Sequence, residues 1–347
     1  MRPFGEVYRW IFPCALFDFA RACPELETSA EFMDVRNPIL VEVTRGPLVE
    51  SFHRGAYALV DAQGRVIRAV GDIDRPIYPR SALKPLQALA LIESGAAEAF
   101  GVSGEEIALA CGSHSGQDIH VEKVGAWLKR LGLSADDLEC GASEPVDAGA
   151  KKALVRRGEA PTALHHNCSG KHAGFLTVAR HLKVPTRNYI DPEHPVQQLV
   201  LQHITTMTGA IPHSPCGCDG CGVPTWAMPL SALALGMARL ADKPSIITAM
   251  QTHPFLVAGR GRFDTDVMTA HPNLVVKGGA EGVLCALIPE QGLGLAIKVD
   301  DGGLRAASVI GAALLSAYAP LSAEKCAPPV LNNQGAPVGV LRAVLPS

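Results

Sequence analysis

The sequence predicts an α+β fold, and three observations carry that reading. Strand patterns crowd residues 39–70, helical patterns dominate residues 81–251, and strand patterns return over 274–299. Strands gathered at the two ends of a helical block describe an antiparallel sheet flanked by helices. A regular β/α alternation, the sign of a parallel sheet, is missing. At 347 residues the chain is long enough to bury a large core.

The elements follow in order. Ile39-Leu40-Val41-Glu42-Val43 reads as a strand, and a second runs from about Phe52 to Val60. Asp61-Ala62-Gln63-Gly64 turns it into a third, Arg65 to Val70. A polar loop, Gly71 to Arg80, leads to Ser81, where Leu83, Leu86, Ala88, Leu89, Ala90, Leu91 and Ile92 mark an almost wholly apolar helix. A short helix over 104–111 ends at Cys111-Gly112-Ser113-His114-Ser115-Gly116, and an amphipathic helix covers 117–132. Ser134-Ala135-Asp136-Asp137 opens another short helix, and 141–162 reads as loop and short helix. A polar run, His165 to Gly174, precedes a helix over 173–183; Asp191 to Pro195 caps one that reaches about Thr208. A glycine-rich loop with Cys216, Cys218 and Cys221 leads to Pro224, then helices at 230–241 and 243–251. Strands follow at Leu274–Lys277, Val283–Ile288 and Leu293–Val299, the last two turned by Pro289-Glu290-Gln291-Gly292. An apolar final helix at 303–318 should pack on the sheet.

Composition excludes several classes. The net charge of -3 and the lack of a Lys/Arg block argue against nucleic acid and against a basic membrane-binding face. No apolar run reaches the length of a membrane span. The apolar stretch from Trp10 to Phe17 is flanked by Glu6, Arg9, Asp18 and Arg21, with no clean cleavage site after it, so a cytoplasmic location is expected. Ten cysteines are too few for a disulfide scaffold at this size.

The chemistry concentrates in a few motifs. In a helix, Ser81 and Lys84 at i and i+3 share one face. A serine hydroxyl becomes a nucleophile when a base takes its proton, and a lysine is such a base once burial or a second cation lowers its pKa. Taken alone, the tetrapeptide fits equally a helix start with a solvated lysine. Ser113-His114-Ser115 in a loop and Lys277-Gly278-Gly279 at a strand end tip the balance. In order and context the three match the Ser-x-x-Lys, Ser-x-x and Lys-Thr-Gly triplet of serine β-lactamases and penicillin-binding proteins. Gly278 removes the hydroxyl of that third motif, which weakens a penicillin reading. Arg80 has a guanidinium suited to an amino-acid carboxylate, and His172 is a second candidate to orient substrate. For a metal, spacing alone favours Cys218-x-x-Cys221 with a histidine from His165, His166 or His172.

The wording of these motifs is more specific. Arg80-Ser81-Ala82-Leu83-Lys84-Pro85, Ser113-His114-Ser115, Asn167-Cys168-Ser169-Gly170-Lys171-His172 and Asp219-Gly220-Cys221 resemble the L-asparaginase II family of rhizobial type. The resemblance spans roughly residues 37–345. It implies a serine β-lactamase-like fold, an L-asparagine substrate hydrolysed to L-aspartate and ammonia, and a homodimer. It implies two Ser–Lys pairs, Ser81 with Lys84 and Ser113 with Lys277. It also implies a Zn2+ site beside the pocket on Cys168, Lys171, Asp219 and Cys221. Residues 37–347 are thus expected to form one domain, with 1–36 an extension outside the resemblance. The rival readings are a glutaminase or other serine amidohydrolase of the same fold, and a non-catalytic zinc- or amino-acid-binding protein.

Overall fold

Residues 37–209 and 216–346 are described by a computed structural model; the expected N-terminal extension lies outside them. The first strands form where the alternation predicts, as β1 (Ile39–Arg45), β2 (Leu48–Asp61) and β3 (Val66–Val70). At fourteen residues, β2 is long enough to serve two sets of neighbours. Its first half pairs with β1 (Val43↔Ser51), and β3 runs along its second half (Tyr57↔Val70). Gly55 sits where the pairing changes hands, and any Cβ there would stand 2.4 Å from the Lys298 carbonyl oxygen.

The sheet is completed by β4 (Val275–Gly278), β5 (Val283–Ile288), β6 (Leu293–Val299), β7 (Pro329–Leu331) and β8 (Pro337–Ala343). The strand order is β7-β8-β1-β2-β6-β5-β4, with β3 on β2 beside that path. Every pairing is antiparallel. This leaves β4, the strand of Lys277, at one edge.

The helices that frame the site are α1 (Lys84–Gln87), α2 (Gly104–Cys111), α3 (Asp118–Arg130), α4 (Ser169–Leu182) and α5 (Pro195–Thr208). Beyond them lie α6 (Leu230–Arg239), α7 (Pro244–Thr252), α8 (Phe263–Ala270) and α9 (Leu304–Leu315). Helices α6 and α9 cover opposite faces of the sheet. A Cβ on Gly294 would strike the α6 backbone at Ala234 and Ala238, whereas Ile297, of opposite parity on β6, lies against Gly311 of α9. Covered on both faces, β5 is buried along its whole length and reads as a continuous apolar run.

Helix α2 is the axis of the helical part. A capping box starts it, with Ser103 Oγ accepting from the Glu106 N–H and Glu106 Oε2 accepting from the Ser103 N–H. Its C-terminal turn packs so closely on α4 that a Cβ on Gly170 would lie 2.5 Å from the Leu109 carbonyl oxygen. That contact sets Gly112 and Ser113 beside the first turn of α4. Among the described residues, no helix is long and apolar enough to cross a membrane.

Two expectations are corrected. The apolar helix after Ser81 is broken into a tight turn (Arg80–Leu83), α1, and Leu89–Glu93, with Pro85 in the first turn of α1. Helix α4 starts at Ser169 rather than at residue 173, because Gly170 gains close packing on α2 by being helical. Residues 263–270, to which the sequence assigns no element, form α8, and two further strands extend the sheet, β8 on β1 and β7 on β8.

Candidate active site

The turn before α1 holds Arg80 in the left-handed region, at φ 51. A non-glycine residue there is strained and needs something to hold it. The Arg80 guanidinium donates from Nε to Asp219 Oδ1 at 2.7 Å, which anchors the turn. Ser81 follows, half-buried, at the mouth of the site, and among the described residues its hydroxyl has no hydrogen-bond partner.

Lys84 lies one turn further on and is fully buried. Its three N–H donors go to Gly112 O at 2.6 Å, Ser113 Oγ at 2.9 Å and Asn167 O at 3.4 Å. A buried ammonium is tolerable when each donor is satisfied in this way. The sequence pairs Lys84 with Ser81, while the hydrogen bond actually present joins Lys84 to Ser113. Ser113 is fixed in turn by its N–H on Val257 O at 2.7 Å, and the next residue's N–H donates to Asn167 O.

Lys277 enters from the edge strand β4, opposite Cys285 on β5, and is also fully buried. Its ammonium donates to Gly278 O and stands 3.7 Å from Asp264 Oδ2; no hydrogen bond joins it to Ser113 among the described residues. Burial pulls its pKa down to about 8; Asp264 opposes that fall and the nearby Lys84 charge adds to it. The two glycines after it have separate reasons. A Cβ on Gly278 would press on Asp264 Oδ1 at 3.1 Å, and one on Gly279 would stand 2.9 Å from the Ala82 nitrogen. The strand end therefore lies directly on the Ser81 turn.

The expected metal residues also converge. Lys171 Nζ donates to Cys221 Sγ at 3.0 Å, and Asp219 Oδ2 stands 4.0 Å from that sulfur. A hydrogen bond from the Cys168 thiol holds Cys221 well below the usual thiol range, aided against burial by the Lys171 charge. Burial works against the Lys171 ammonium, yet Cys221, Cys168 and Asp219 together raise its pKa. Two sulfurs and a carboxylate are accepted zinc donors, whereas the Lys171 amine would coordinate only after losing a proton that its neighbours hold in place. Asp219, however, also serves Arg80 and the Gly220 N–H, and no group of three His, Cys, Asp or Glu side chains among the described residues is drawn together as a metal site. Cys216 and Cys218 are exposed on a separate short strand paired with Pro224–Trp226. His165 and His166 spend Nδ1 on the backbone N–H groups of Thr162 and Cys168.

A family model for L-asparaginase II matches residues 41–343. The chain belongs to the L-asparaginase II family. No curated protein gives a significant match. Among solved structures, a β-lactamase from Mycobacterium bovis is similar at 15% identity over 76% of this chain and 94% of that one, with a TM-score of 0.31. The D-alanine carboxypeptidase AmpC from Burkholderia cenocepacia is similar at 13% identity over 75% and 93%, with a TM-score of 0.37. This asparaginase II chain has the serine β-lactamase-like architecture by its own geometry: an antiparallel sheet flanked by helices, with a Ser-x-x-Lys turn, a serine loop and an edge-strand lysine meeting at one place. Membership of this family supports an amidohydrolase.

Three further residues belong to this asparaginase II site: Asn167, which lies in a sequence motif without a role of its own, and Asp264 and Tyr189, which have no sequence signal. Asn167 gives its carbonyl to Lys84 and its side-chain oxygen to the Cys168 thiol. Asp264 faces Lys277 from thirteen residues earlier, a spacing that suggests nothing. Tyr189 fixes the His172 ring. Its oxygen accepts the Glu139 N–H at 2.7 Å and is hydrogen-bonded to His172 Nδ1 at 2.7 Å. Among the described residues, His172 Nε2 is buried without a hydrogen-bond partner. Burial, then the Lys171 charge, keeps that ring neutral.

Proposed function

We propose that this protein hydrolyses L-asparagine to L-aspartate and ammonia through an acyl-enzyme on Ser81. The observation that supports it most is the meeting of two buried lysines, Lys84 and Lys277, with Ser113 and the half-buried Ser81 in a member of the L-asparaginase II family.

In this reading Ser81 Oγ attacks the side-chain amide carbon and forms a tetrahedral oxyanion, which backbone N–H groups at the Arg80–Leu83 turn stabilise. Lys84 takes the Ser81 proton. It can do so only when neutral; its hydrogen bond to Ser113 offers a first step for the proton it must lose, and passing that proton on to a neutral Lys277 requires a Ser113–Lys277 contact that the described residues do not make at rest. Protonation of the departing nitrogen releases ammonia, and water hydrolyses the aspartyl ester. Arg80 and His172, whose Nε2 is buried without a partner among the described residues, are the groups that orient the substrate carboxylate. A zinc ion on Cys168, Lys171 and Cys221, with Asp219 as fourth ligand, would supply fixed positive charge and hold the pocket; four protein ligands leave no open position for a hydroxide.

Ammonia release from purified protein, measured on L-asparagine, L-glutamine and nitrocefin in parallel, tests this. Turnover of asparagine well above the other two is the expected result. Faster turnover of glutamine or nitrocefin would make the protein a different serine amidohydrolase, and asparagine binding without ammonia release would make it a non-catalytic binder.

A further inference from the structure

Lys277 is fully buried, and the charged and titratable groups around it come from every side. Lys84 faces it from α1, Arg262 from the segment before α8, Cys168 from the start of α4, Cys285 from β5 and Cys111 from the end of α2. Burial keeps Cys285 and Cys111 as neutral thiols. Asp264, itself buried, is the carboxylate among the described residues that faces this lysine, with Oδ2 3.7 Å from Nζ. The same Oδ2 accepts the Gly278 N–H at 2.9 Å, so one carboxylate holds both the lysine and the strand edge beside it. Gly278 leaves the space this requires, since a Cβ there would lie 3.1 Å from Asp264 Oδ1.

We infer that Asp264 is the positioning residue for Lys277: it locks the end of β4 onto α8 and supplies the counter-charge that decides at what pH Lys277 becomes a base. That Lys277 acts as a base rests on the hydrolase reading above; the contact between the two side chains does not. An opposite charge within about 4 Å favours the ammonium. Removing it makes the lysine easier to deprotonate, so the direction of change is fixed in advance.

The test follows the Lys277 Cε resonance in full-length protein carrying 13C-labelled lysine, assigned with Lys277→Arg and titrated with pH. The wild-type midpoint is expected near 8. Asp264→Asn should move it down by about one to three pH units, and Asp264→Glu should bring it back toward wild type. In the ammonia assay, the rise of kcat with pH should move to lower pH in the same variant. Should Asp264→Asn fail to fold, Gly278→Ala displaces the carboxylate instead and should also lower the midpoint. An unchanged Cε midpoint in a folded Asp264→Asn or Gly278→Ala protein overturns the inference. A displaced midpoint in a protein that releases no ammonia from any amide keeps it and removes the hydrolase reading instead.

Discussion

At the scale of the residue, the site is a problem of where two buried protons go. Lys84 uses all three N–H donors on Gly112, Ser113 and Asn167, so its ammonium is well solvated by the protein. Lys277 is less well served; burial, and then the nearby Lys84 charge, bring its pKa down to about 8. A base is needed in its neutral form, and a lysine near 8 is about one-tenth neutral at pH 7 and about nine-tenths neutral at pH 9. Activity should therefore rise through about pH 8 and level off above it; a kcat that stays flat from pH 6 to 9, about two pH units below the midpoint to one above, would contradict a neutral lysine. Ser81→Ala should lower kcat by about four orders of magnitude. Because the Ser81 hydroxyl makes no hydrogen bond among the described residues, Tm should stay within about 2 °C, which separates loss of the nucleophile from loss of the fold.

At the scale of the element, the sequence was most informative where period and caps agree. The helix over 104–111 appears with those bounds because Ser103 and Glu106 form its capping box, and β5 and β6 appear where two apolar runs flank a Pro-Gly turn. Short elements rich in residues that suit caps and loops escaped notice. Helix α8 begins Phe263-Asp264-Thr265-Asp266, a weak helix-forming sequence that forms because Asp264 is bonded to β4. Strands β7 and β8 escaped for another reason: β8 pairs with β1 from the far end of the chain, and no local pattern reports such a partner. The third motif was legible as Lys277-Gly278-Gly279, but why it lacks a hydroxyl became clear only from the packing of Gly278 on Asp264. Gly279→Ala tests that packing. Its Cβ would stand 2.9 Å from the Ala82 nitrogen and 3.0 Å from Pro79 O, so the strand end must retreat from the Ser81 turn. We expect about 1–3 kcal/mol lower stability in denaturant unfolding and a kcat reduced by about tenfold or more, since small displacements at reacting groups are costly. A wild-type kcat in that variant would mean the strand edge does not position the chemistry.

At the scale of the whole molecule, the proposed zinc would join parts that the sequence keeps far apart. Cys168 stands at the head of α4, and Cys221 lies in the turn that joins the short strand Cys216–Cys218 to Pro224–Trp226. Asp219 in that turn holds Arg80, so an ion here would fasten α4, the hairpin and the strained Ser81 turn to one another. Motif wording led to this set of four, whereas spacing alone favoured Cys218 with a histidine. In the structure Cys218 is exposed on the hairpin strand, and His165 and His166 each accept a backbone N–H at Nδ1. Two sulfur donors favour zinc over magnesium or calcium. About one zinc per chain is expected by elemental analysis, as for a single four-ligand site. A ligand held only by the folded state at one hundred times its Kd adds about 2.7 kcal/mol, so stripping the metal with a chelator should lower Tm and raise KM more than it lowers kcat. Cys168→Ser and Cys221→Ser should each empty the site, while Cys216→Ser and Cys218→Ser leave the zinc content at the wild-type value. The reverse pattern would place the ion on the Cys216–Cys221 hairpin, leaving Lys171 and Cys221 as an ion pair that braces the pocket without metal.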